Sequence, residues 1–460
     1  MSDLLADGLL APVAIPGFSG TTLLHGQPGY DEARHVFNGI VDRHPALIAR
    51  CTSDDDVAAV VRHAVATGQP LTVYGGGHSV TGAAVVDGGI CIDLRGLKSV
   101  LVDGTERTVR AAAGLTWGEL DEACQAHGLA VTGGRVSTTG VGGSALGSGS
   151  GWLERSLGFT CDNLIAAHVV TADGVQVTAS RTVNPDLFWA LRGGGGNFGI
   201  VTQFVLRLHK VGPTVLGGTL LWPAEQAGPV VRAWRDLMLT APEALGSGLA
   251  LATAPAGPLQ GQPVVKMIVC WSGPVAQGTA ALRPLLAAVP PAVDLVRPMP
   301  YLEVQRLLDD TSPAGLRHHW TADVFEQLPD AAIDLLVGLA TRPASRLTQV
   351  LVLPGGGAVA RVPDDATAFG RRDAPFSIHY QGMWADPADD ELNIGSIRQL
   401  AAVLRPWTTG AAYVNFLGDE GPGRIEASYG DEQFARLRAI KRDWDPGNVF
   451  RHNQNIPPAD

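Results

Sequence analysis

The sequence predicts an α+β protein built from two or three domains. Its 460 residues are enough for that number of domains and for a sizeable core. Apolar residues make up 45% of the chain and charged residues 17%, the reverse of the composition of disordered proteins. From about residue 43 to 212, glycine separates short apolar runs, whereas from 213 to about 406 longer strand candidates alternate with helix candidates. This change of texture predicts a second, sheet-plus-helix domain in the middle of the chain.

The first clear element is a helix that begins after Ser53. Ser53 stands three residues before Asp56, the spacing of a capping box, and acidic residues fill the first turn. Apolar residues then recur at helical spacing until Gly68. The runs LTVYGG and GICIDL that follow predict short strands, and HVVTADGVQVTAS predicts a hairpin around Asp173 and Gly174.

Longer elements follow in the middle of the chain. The runs VVKMIVCWSG, LTQVLVL and FSIHYQGMWA predict strands, and AEQAGPVVRAWRDLML and DELNIGSIRQLAAVL predict helices. The last stretch contains AAYVNF and ends in RHNQNIPPAD, a residue pattern that is not typical of a structureless C-terminal tail. We therefore divide the chain into residues 1–212, 213–406 and 407–460.

Charge and cysteine content exclude several classes of protein. The formal net charge of −11 argues against nucleic acid as a partner, because a phosphate backbone needs a concentrated basic surface. The five cysteines are odd in number, widely spaced and without a CxxC pair, so we expect neither a disulfide framework nor a metal site. A reducing cytoplasm fits this pattern.

The N-terminus does not resemble a signal peptide. It carries acids where a signal peptide needs a basic region, and no run of eighteen apolar residues occurs in the chain. We therefore expect a soluble, non-exported protein without a membrane segment.

Three glycine clusters fall within 125 residues: Gly75 to Gly77 followed by His78, the run from 133 to 151, and the run from Gly193 to Gly199. Glycine in or beside strands lowers stability, so a cluster of it serves tight turns or leaves bare backbone amides against a ligand. For three clusters we favour the cradling of an anionic cofactor over turns alone.

The run GVGGSA at 140–145 formally matches the GxGxxG/A fingerprint of dinucleotide-binding Rossmann domains. That fingerprint follows a buried strand and opens a helix, whereas here GGRVSTT precedes the run and ALGSGSG, a poor helix sequence, follows it. Strings of the GxxxxGK, HExxH, GxSxG and HRD types do not occur, so phosphoryl transfer, zinc hydrolysis and serine hydrolysis lack their usual markers.

Several motifs together resemble a known family. They are VYGGGHSVTG, GGRVSTTGVGGSALGSGSGWLERSLGFTCDNL, NPDLFWALRGGGGNFGIVTQF, YVNF and NVFRHNQNIPP, in this order over nearly the whole chain. They resemble the berberine-bridge-enzyme-like, FAD-linked oxidases of the vanillyl-alcohol-oxidase superfamily, in particular the bacterial branch of nicotine oxidases and secondary-metabolite tailoring oxidases. The resemblance implies an FAD domain of PCMH type formed by 1–212 and closed by 407–460. It also implies a central substrate domain, 213–406, with an antiparallel sheet backed by helices.

The resemblance also implies the residues of an FAD site. They are Tyr74, Gly75, Gly76, Gly77, His78, Ser79, Gly134, Ser137, Thr138, Gly140, Gly142, Gly143, Ser144, Gly199, Val201, Asn415, Asn453 and Asn455. Consecutive unencumbered N–H groups form nests for a pyrophosphate, which would explain why segments 74–79 and 137–143 carry so little side chain. The flavin performs the hydride chemistry, and the protein positions it and tunes its electronics.

His78 matches the histidine through which this family attaches its flavin. A histidine in a glycine turn otherwise only hydrogen-bonds a carbonyl, but the resemblance implies covalent linkage, in which a neutral imidazole nitrogen attacks the flavin 8α carbon. Some relatives add a second link through cysteine, and here Val136 occupies that position. We therefore expect one covalent link, and we interpret Cys161 as an ordinary buried thiol.

Two tyrosines are candidates for the catalytic base. In related oxidases the tyrosine at the place of Tyr413 takes the substrate proton, whereas the plain alternative is a half-buried aromatic in a strand-like segment beside Asn415. A phenol with a pKa near 10 serves as a base only if positive charge or hydrogen bonds lower that pKa. Tyr380 is the rival, and because side chains alternate along a strand, Tyr380 and His379 cannot both face the flavin.

Two further positions have competing interpretations. Gly134 falls where relatives carry a residue that gates oxygen, and a glycine there would leave the gate open, unless it serves only a turn. His318, His319 and Trp320 would form a substrate wall if they were buried, but we favour a surface histidine pair beside a packed tryptophan.

Together these residues predict an FAD-dependent oxidase linked to FAD through His78. It would remove a hydride equivalent from a small alcohol or amine of natural-product or sugar type, and return the electrons to molecular oxygen as hydrogen peroxide. Two alternatives stay open: a dehydrogenase of the same fold with another acceptor, distinguished by blocked oxygen access, and a flavoprotein that sequesters a metabolite without turnover. The sequence predicts no oligomeric state.

Overall fold

The computed structural model describes residues 13–460. The strands are β1 (Thr21–Leu23), β2 (Leu47–Arg50), β3 (Leu71–Tyr74), β4 (Ile90–Asp93), β5 (Val100–Asp103), β6 (Thr108–Ala112), β7 (Leu129–Ala130), β8 (Leu164–Val170), β9 (Gln176–Ser180), β10 (Ile200–Arg207), β11 (His209–Lys210), β12 (Thr214–Pro223), β13 (Leu245–Thr253), β14 (Pro263–Trp271), β15 (Val293–Asp294), β16 (Arg297–Pro300), β17 (Arg317–Phe325), β18 (Gln349–Pro354) and β19 (Phe376–Trp384). The α-helices are α1 (Tyr30–Arg34), α2 (Asp54–Thr67), α3 (Trp117–Gln125), α4 (Val141–Leu146), α5 (Glu154–Leu157), α6 (Pro185–Ala190), α7 (Ala227–Thr240), α8 (Val275–Ala288), α9 (Tyr301–Gln305), α10 (Asp330–Ala340), α11 (Asp390–Leu404), α12 (Pro422–Tyr429) and α13 (Asp431–Trp444).

The N-terminal part of the chain builds two main sheets that share one core. The first has the order β1-β2-β4-β3, with parallel pairs on both sides of β4. The second is antiparallel, with the order β5-β6-β10-β8-β9, and contains the predicted hairpin as β8 and β9. Helix α2 contacts both β4 and β8 and so joins the two sheets through its apolar face.

Helix α2 has the predicted caps, with one difference. The Ser53 hydroxyl accepts from the Asp56 N–H at 3.1 Å, and Gly68 ends the helix in the left-handed conformation. The Asp56 carboxylate does not return to Ser53 but accepts from the backbone N–H groups of Ser19 and Thr52, at 2.7 and 2.9 Å. Although burial raises the pKa of Asp56, these hydrogen bonds lower it to about 2. The carboxylate therefore anchors the segment that precedes the first sheet.

The central part forms one eight-stranded antiparallel sheet with the order β15-β12-β14-β13-β18-β19-β17, and β16 pairs with β12 as well. Its strands include the predicted β14, β18 and β19. Helices α7, α8, α10 and α11 pack on one face and enclose a core of aliphatic side chains with Trp222 and Trp234. The fold class predicted for this part, an antiparallel sheet backed by helices, is confirmed.

The C-terminal segment returns to the N-terminal sheets. Leu437 and Ile456 belong to the same core as Phe198. The ammonium group of Lys441, which is fully buried, donates to the carbonyl of Asn197 at 2.6 Å and pairs with Asp445 at 2.6 Å. The two-part N-terminal domain closed by the C-terminus is therefore confirmed as part of the fold class.

The run at 140–145 forms a helix that the sequence did not predict, but it does not form a Rossmann site. A short helix, α4, opens directly after Gly140, although the sequence ALGSGSG predicted none, and it ends at Leu146 before the Gly-Ser run. The strand before it, β7, has two residues and pairs antiparallel with β11, so no βαβ unit surrounds the run. The exclusion of a Rossmann site therefore holds, because that fingerprint needs a parallel strand in front of the helix.

The sequence also predicts that the chain has no membrane-spanning segment and no signal peptide. Within residues 13–460, no helix reaches the length and apolar character needed to cross a bilayer. The prediction that the chain has no signal peptide rests on its first twenty residues, of which 1–12 lie outside the described residues.

Candidate active site

A cavity of about 360 Å³ lies where the three parts of the chain meet. Its walls are the glycine loops of the N-terminal part, one face of strands β17 to β19, and segments 413–417 and 450–454. The predicted site residues that line it are Gly75, Gly76, Gly77, His78, Ser79, Gly134, Gly140, Gly142, Gly143, Ser144, Gly199, Val201, Tyr413, Asn415 and Asn453. The glycine clusters, far apart in sequence, thus face one space.

Tyr74 and Ser137 were predicted at the cofactor, but neither lines the cavity. The ring of Tyr74 lies under the guanidinium group of Arg95, 3.9 Å from its carbon, and the hydroxyl donates to the His35 carbonyl at 2.7 Å. The backbone N–H and hydroxyl of Ser137 both donate to the Asp309 carboxylate, at 2.8 and 2.6 Å. Both donors of Ser137 are therefore used within the protein and are not free for a pyrophosphate.

Thr138 and Asn455 also lie outside the lining. Thr138 is exposed, and its hydroxyl contacts the imidazole of His78 rather than the cavity. Asn455 is replaced in the lining by its neighbour Gln454, whose amide donates to the Leu417 carbonyl at 3.1 Å. The C-terminal segment therefore reaches the cavity through the predicted Asn453 and through Gln454, but not through Asn455.

The loop from Gly75 to Ser79 presents bare backbone. Its five N–H groups donate to no acceptor within residues 13–460. Gly77 has a φ of 69°, a conformation that side chains disfavour, and a Cβ on Gly76 would overlap the backbone of Gly140. The two glycine loops therefore touch backbone to backbone, which leaves unpaired N–H groups of the kind that cradle phosphate oxygens.

We expect Gly76→Ala to lose its FAD. The new Cβ would meet the backbone N and Cα of Gly140, which cannot move aside as a side chain would, so the two loops must separate. The flavin-to-protein absorbance ratio of the purified variant, with its melting temperature, measures the effect. Gly395→Ala is the matched control, because nothing lies within 4 Å of its Cβ and alanine favours a helix. Full flavin content in Gly76→Ala would contradict the assignment.

His78 is held in a neutral form. Its Nε2 lies 3.0 Å from the Thr138 hydroxyl and its Nδ1 lies 3.4 Å from the Thr139 hydroxyl. Its ring stacks on Phe37, with 4.4 Å between centroids. Burial lowers the pKa of His78 to about 4, against a smaller raising effect of the Thr138 hydrogen bond. At neutral pH one ring nitrogen is therefore unprotonated and carries a lone pair, which is the form of imidazole that acts as a nucleophile.

The hydroxyl oxygen of Tyr413 sits in a cradle of three donors. The backbone N–H groups of Gly149 and Ser150 donate to it at 2.9 and 3.0 Å, and the side-chain amide of Asn415 donates at 3.1 Å. Burial raises the pKa of Tyr413 above its ordinary value of 10, and the three hydrogen bonds lower it in part. The arrangement stabilises negative charge on this oxygen once it forms, although the phenol is protonated at neutral pH.

The segment around Tyr413 is not the strand that its sequence predicted. Tyr413 stands before a single 3-10 turn at 414–416, and this turn brings the Asn415 amide back to the tyrosine oxygen. In a regular strand, residues 413 and 415 would lie on the same face, but their side chains would both stand perpendicular to the sheet, so the Asn415 amide would not turn back toward the tyrosine oxygen. The turn therefore creates the contact between the two residues.

Tyr380, the rival base, lies on the wrong face of its strand. It is fully buried in the core between the central sheet and its helices, whereas His379 and Gln381 line the cavity. Side-chain alternation along β19 accounts for this separation, as expected. Tyr380 is therefore removed from the candidates for catalysis.

Gly134 lines the cavity with its backbone only. A Cβ at this position would lie 2.9 Å from Cδ1 of Trp117, whose buried indole N–H donates to the Ser144 hydroxyl at 2.7 Å. Trp117 therefore packs against Gly134 and leaves no room for a larger side chain, which accounts for the glycine without reference to oxygen. The interpretation of Gly134 as an open oxygen gate stays a prediction.

Cys161 is a buried thiol outside the cavity lining, as interpreted. It packs with Phe159 and Val359, and its thiol lies 3.7 Å from the Asp162 carboxylate. Burial raises the pKa of this thiol above its ordinary value, so the nucleophilic thiolate is scarce. We expect Cys161→Ser to keep the flavin spectrum and the covalent retention of the wild type, as measured by peptide mass spectrometry. Loss of a flavin-linked peptide in this variant would show a second attachment.

The interpretation of His318 and His319 as a surface pair is wrong. His318 is 2% exposed and stacks on Phe37 with 4.5 Å between ring centroids, and Trp320 lines the cavity. His319 points to the other face of β17, where the charge of Arg398 adds to burial in lowering its pKa to about 4. Of the three residues, Trp320 alone lines the cavity, and His318 lies behind it, packed against Phe37 and Trp320.

Sequence reasoning missed part of the lining. The missed side chains are Phe37, Arg135, Asn197, Leu308, Gln349, Leu351, Leu353, Gln381, Phe416, Tyr429, Phe450, His452 and Gln454. The alternation of Gln349, Leu351 and Leu353 along β18 was a usable signal, because it assigns these three to one face. Arg135 and Asn197 had none, since each is placed by contacts with distant segments.

The cavity fits an extended dinucleotide such as FAD. Unpaired N–H groups line one end, and buried polar atoms without a partner lie near the C-terminal segment, among them Asn453 Oδ1 and His452 Nε2. Among residues 13–460, no carboxylate lines the cavity that would repel a pyrophosphate. In the part of the chain from 13 to 460, no group of three or more His, Cys, Asp or Glu side chains is arranged to hold a metal ion.

Comparison with known proteins agrees with this geometry. A family model described as an FAD binding domain matches residues 45–180, and one described as berberine and berberine like matches 412–457. An uncharacterized FAD-linked oxidoreductase of Bacillus subtilis is 30% identical over 96% of this chain and 98% of its own length. The (R)-6-hydroxynicotine oxidase of Paenarthrobacter nicotinovorans is 29% identical over 99% of both chains. The crystal structure of 6-hydroxy-D-nicotine oxidase from Arthrobacter nicotinovorans superposes with a TM-score of 0.89, at 27% identity over 97% of this chain and 100% of that one.

Proposed function

The chain belongs to the berberine-bridge-enzyme-like FAD-linked oxidoreductases, and we propose that it is an oxidase whose FAD is bound covalently through His78. In this proposal it removes a hydride equivalent from a small organic substrate and passes the electrons to molecular oxygen. The observation that carries the proposal is the placement of a neutral His78 and a cradled Tyr413 on one cavity lined by bare glycine loops.

The glycine loops hold the cofactor and His78 fixes it. The unpaired N–H groups from Gly75 to Ser79 would hold the pyrophosphate of FAD, and Asn453 and Gln454 would contact it from the C-terminal segment. When bound, FAD supplies the hydride acceptor. The neutral imidazole of His78, stacked on Phe37, provides the nucleophile for a single link. Val136, at the position of a second attachment residue, has no atom that could form another.

Tyr413 serves as the proton acceptor. In its minor, deprotonated form the Tyr413 oxygen takes the proton of the substrate group as hydride leaves the adjacent carbon, and the three donors around the oxygen stabilise that phenolate. The rings of Phe416 and Phe159 fix the orientation of the phenol, with centroids 4.7 and 6.3 Å away. The residue thus has both a fixed position and an environment suited to negative charge.

Anaerobic reduction tests the proposal directly. The holoenzyme is mixed with small alcohols, amines and sugars while the flavin absorbance is followed, and air is then admitted. We expect at least one compound to bleach the flavin, and air to restore the colour with one peroxide formed per substrate. If air does not restore the flavin colour and only an artificial electron-accepting dye does, the protein is a dehydrogenase and not an oxidase. Compounds that bind equally well to the wild type and to Tyr413→Phe, without bleaching either protein, would favour sequestration.

A further inference from the structure

The oxygen of Tyr413 lies in a concave turn of the backbone. Ser148 and Gly149 both have positive φ values, 96° and 77°. This conformation turns the N–H groups of Gly149 and Ser150 toward one point, the phenol oxygen, at 2.9 and 3.0 Å. Successive N–H groups that converge in this way form an anion-binding concavity. The turn is therefore suited to a negative oxygen, and the oxygen that it holds belongs to Tyr413.

The buried carboxylate of Glu154 holds the other side of this turn. It accepts from the Gly151 N–H at 2.9 Å and from the Ser150 hydroxyl at 2.5 Å. Because Ser150 also donates its N–H to Tyr413, one residue connects the carboxylate with the phenol. The same arrangement brings a negative charge near the oxygen that has to become negative. Burial is the main cause of the raised pKa of Tyr413, and the charge of Glu154 adds to it.

Arg135 offsets this charge from the side of the cavity. Its Nη2 lies 3.0 Å from Oε1 of Glu154, and its Nη1 donates to the Ser150 hydroxyl oxygen at 2.8 Å. The guanidinium carbon lies 4.9 Å from the ring centroid of Trp152, which restricts the position of the side chain further. Among residues 13–460, Arg135 is the only Arg, Lys, Asp or Glu whose side chain lines the cavity. Its contacts point to the turn and not to a ligand.

The stability of the fold does not explain a buried pair at this place. Removing two charges from water is costly, and apolar side chains of similar volume often replace such a pair without loss of stability. In addition, Nε of Arg135 has no hydrogen-bond partner in the described part of the chain. The remaining polar contacts of Arg135 and Glu154 converge on residues 150–151. This pattern favours a role at the phenol over a role in holding the domains.

The other ionisable groups beside Tyr413 do not supply the same balance. Burial and, to a smaller extent, the charge of Arg135 lower the pKa of His379 to about 3, so this imidazole is neutral. Arg372 lies 5.7 Å from the ring centroid of Phe159, which contacts Tyr413, but its charge is balanced by Asp162 at 2.8 Å.

Resting on the role of Tyr413 in the proposed function, we propose that Arg135 is a positioning residue for the base. It balances the charge of Glu154 and fixes Ser150, so that the Tyr413 oxygen can lose its proton inside the turn. Glu154 builds the turn, and Arg135 compensates for the charge that Glu154 brings. Neither residue exchanges a proton with the substrate, which is the task of Tyr413.

Fluorine NMR follows the phenol directly and without turnover. The full-length holoenzyme is produced with 3,5-difluorotyrosine at its six tyrosine positions, and Tyr413→Phe identifies the resonance of residue 413. Fluorine makes a phenol more acidic, which moves its titration toward pH values at which the protein is folded. Arg135→Met leaves Glu154 unbalanced, so we expect the pKa of residue 413 to rise by about one pH unit or more. Glu154→Gln removes the negative charge and keeps an acceptor oxygen, so we expect this pKa to fall.

The double variant Arg135→Met/Glu154→Gln tests whether charge balance is the cause. It contains neither charge, so residue 413 should titrate closer to the wild type than in either single variant. A role of Arg135 in packing alone would not be restored by a change at Glu154. The double variant also leaves no unpaired buried charge, so the test remains decisive if Arg135→Met does not fold. Arg95→Met is the matched control, because Arg95 also stacks on an aromatic ring and pairs with a buried carboxylate, and it should leave residue 413 unchanged.

Flavin reduction gives a second readout with the compound that bleaches the wild type in the anaerobic test. At pH 9, Arg135→Met should reduce its flavin at least about threefold more slowly than the wild type, and the double variant should recover most of this loss. The factor is smaller than the change in the phenolate fraction, because a less acidic phenol is a stronger base once it is ionised.

The outcomes separate this inference from the proposed function. If residue 413 titrates identically in all variants, or if Arg135→Met and Glu154→Gln move its pKa in the same direction, the inference is overturned and the base role of Tyr413 stands. A shifted titration with an unchanged rate in Arg135→Met also overturns it. If the titrations shift as expected but Tyr413→Phe reduces its flavin as fast as the wild type, the base role is wrong and the charge balance at the turn stands.

Discussion

Tyr413→Phe should reduce its flavin about 10²–10⁴-fold more slowly than the wild type, the usual contribution of a general base. The change removes the proton acceptor and keeps the ring that packs on Phe416. This loss corresponds to about 3 to 5 kcal/mol of transition-state stabilisation. Stopped-flow absorbance under anaerobic conditions measures it, with substrate binding much less affected. A rate within a few-fold of the wild type would remove Tyr413 from the role.

The matched control for this variant is Tyr380→Phe. Both tyrosines are buried, but Tyr380 lies in the helix-backed core and its hydroxyl does not reach the cavity. We expect this variant to reduce its flavin within a few-fold of the wild type. Equal losses in the two variants would instead indicate a general effect of removing a buried hydroxyl, and a comparison of their melting temperatures checks this.

The pH dependence follows from the raised pKa of Tyr413. Burial holds this pKa above 10 despite the three hydrogen bonds, so the phenolate is a minor form at neutral pH. Below the pKa, the phenolate fraction grows tenfold with each pH unit. The wild-type rate of flavin reduction should therefore climb from pH 7 to 10 without a plateau, and this rise should vanish in Tyr413→Phe. A plateau near neutral pH in the wild type would point to another base.

Removing the imidazole of His78 should abolish covalent retention of the flavin. After acid precipitation, the yellow colour should stay with the wild-type pellet and move to the supernatant for His78→Ala. The glycine loops remain in the variant, so the native protein should still carry FAD without the covalent link. Cys161→Ser is the control and should keep its colour in the pellet. Free flavin released from the wild type would show that the link does not exist.

The lowered pKa of His78 adds a second test. A pKa of about 4, caused mainly by burial, means that the imidazole is neutral throughout the range above pH 5. Covalent incorporation of FAD into apoprotein should therefore proceed at the same rate at pH 6 and pH 8. A histidine with its ordinary pKa near 6.5 would lose most of its neutral form at pH 6, and the rate would be about fourfold lower there than at pH 8.

The sequence by itself determined the features that depend on neighbouring residues. The caps of helix α2 at Ser53 and Gly68 follow from local hydrogen bonds and a left-handed glycine. The opposite faces of His379 and Tyr380 follow from the two-residue period of a strand. The glycine clusters indicated where backbone would be bare, because only a missing side chain permits the contact between Gly76 and Gly140.

Tertiary structure alone decided which predicted residues reach the cavity. Ser137 has the right position in its motif, but Asp309, 172 residues later in the chain, takes both of its donors. The indole of Trp117 fills the space where a side chain of residue 134 would lie, and His318 is buried by stacking on Phe37. These outcomes depend on contacts between segments far apart in sequence, and no local period or motif encodes which distant side chain will fill the space beside a given residue.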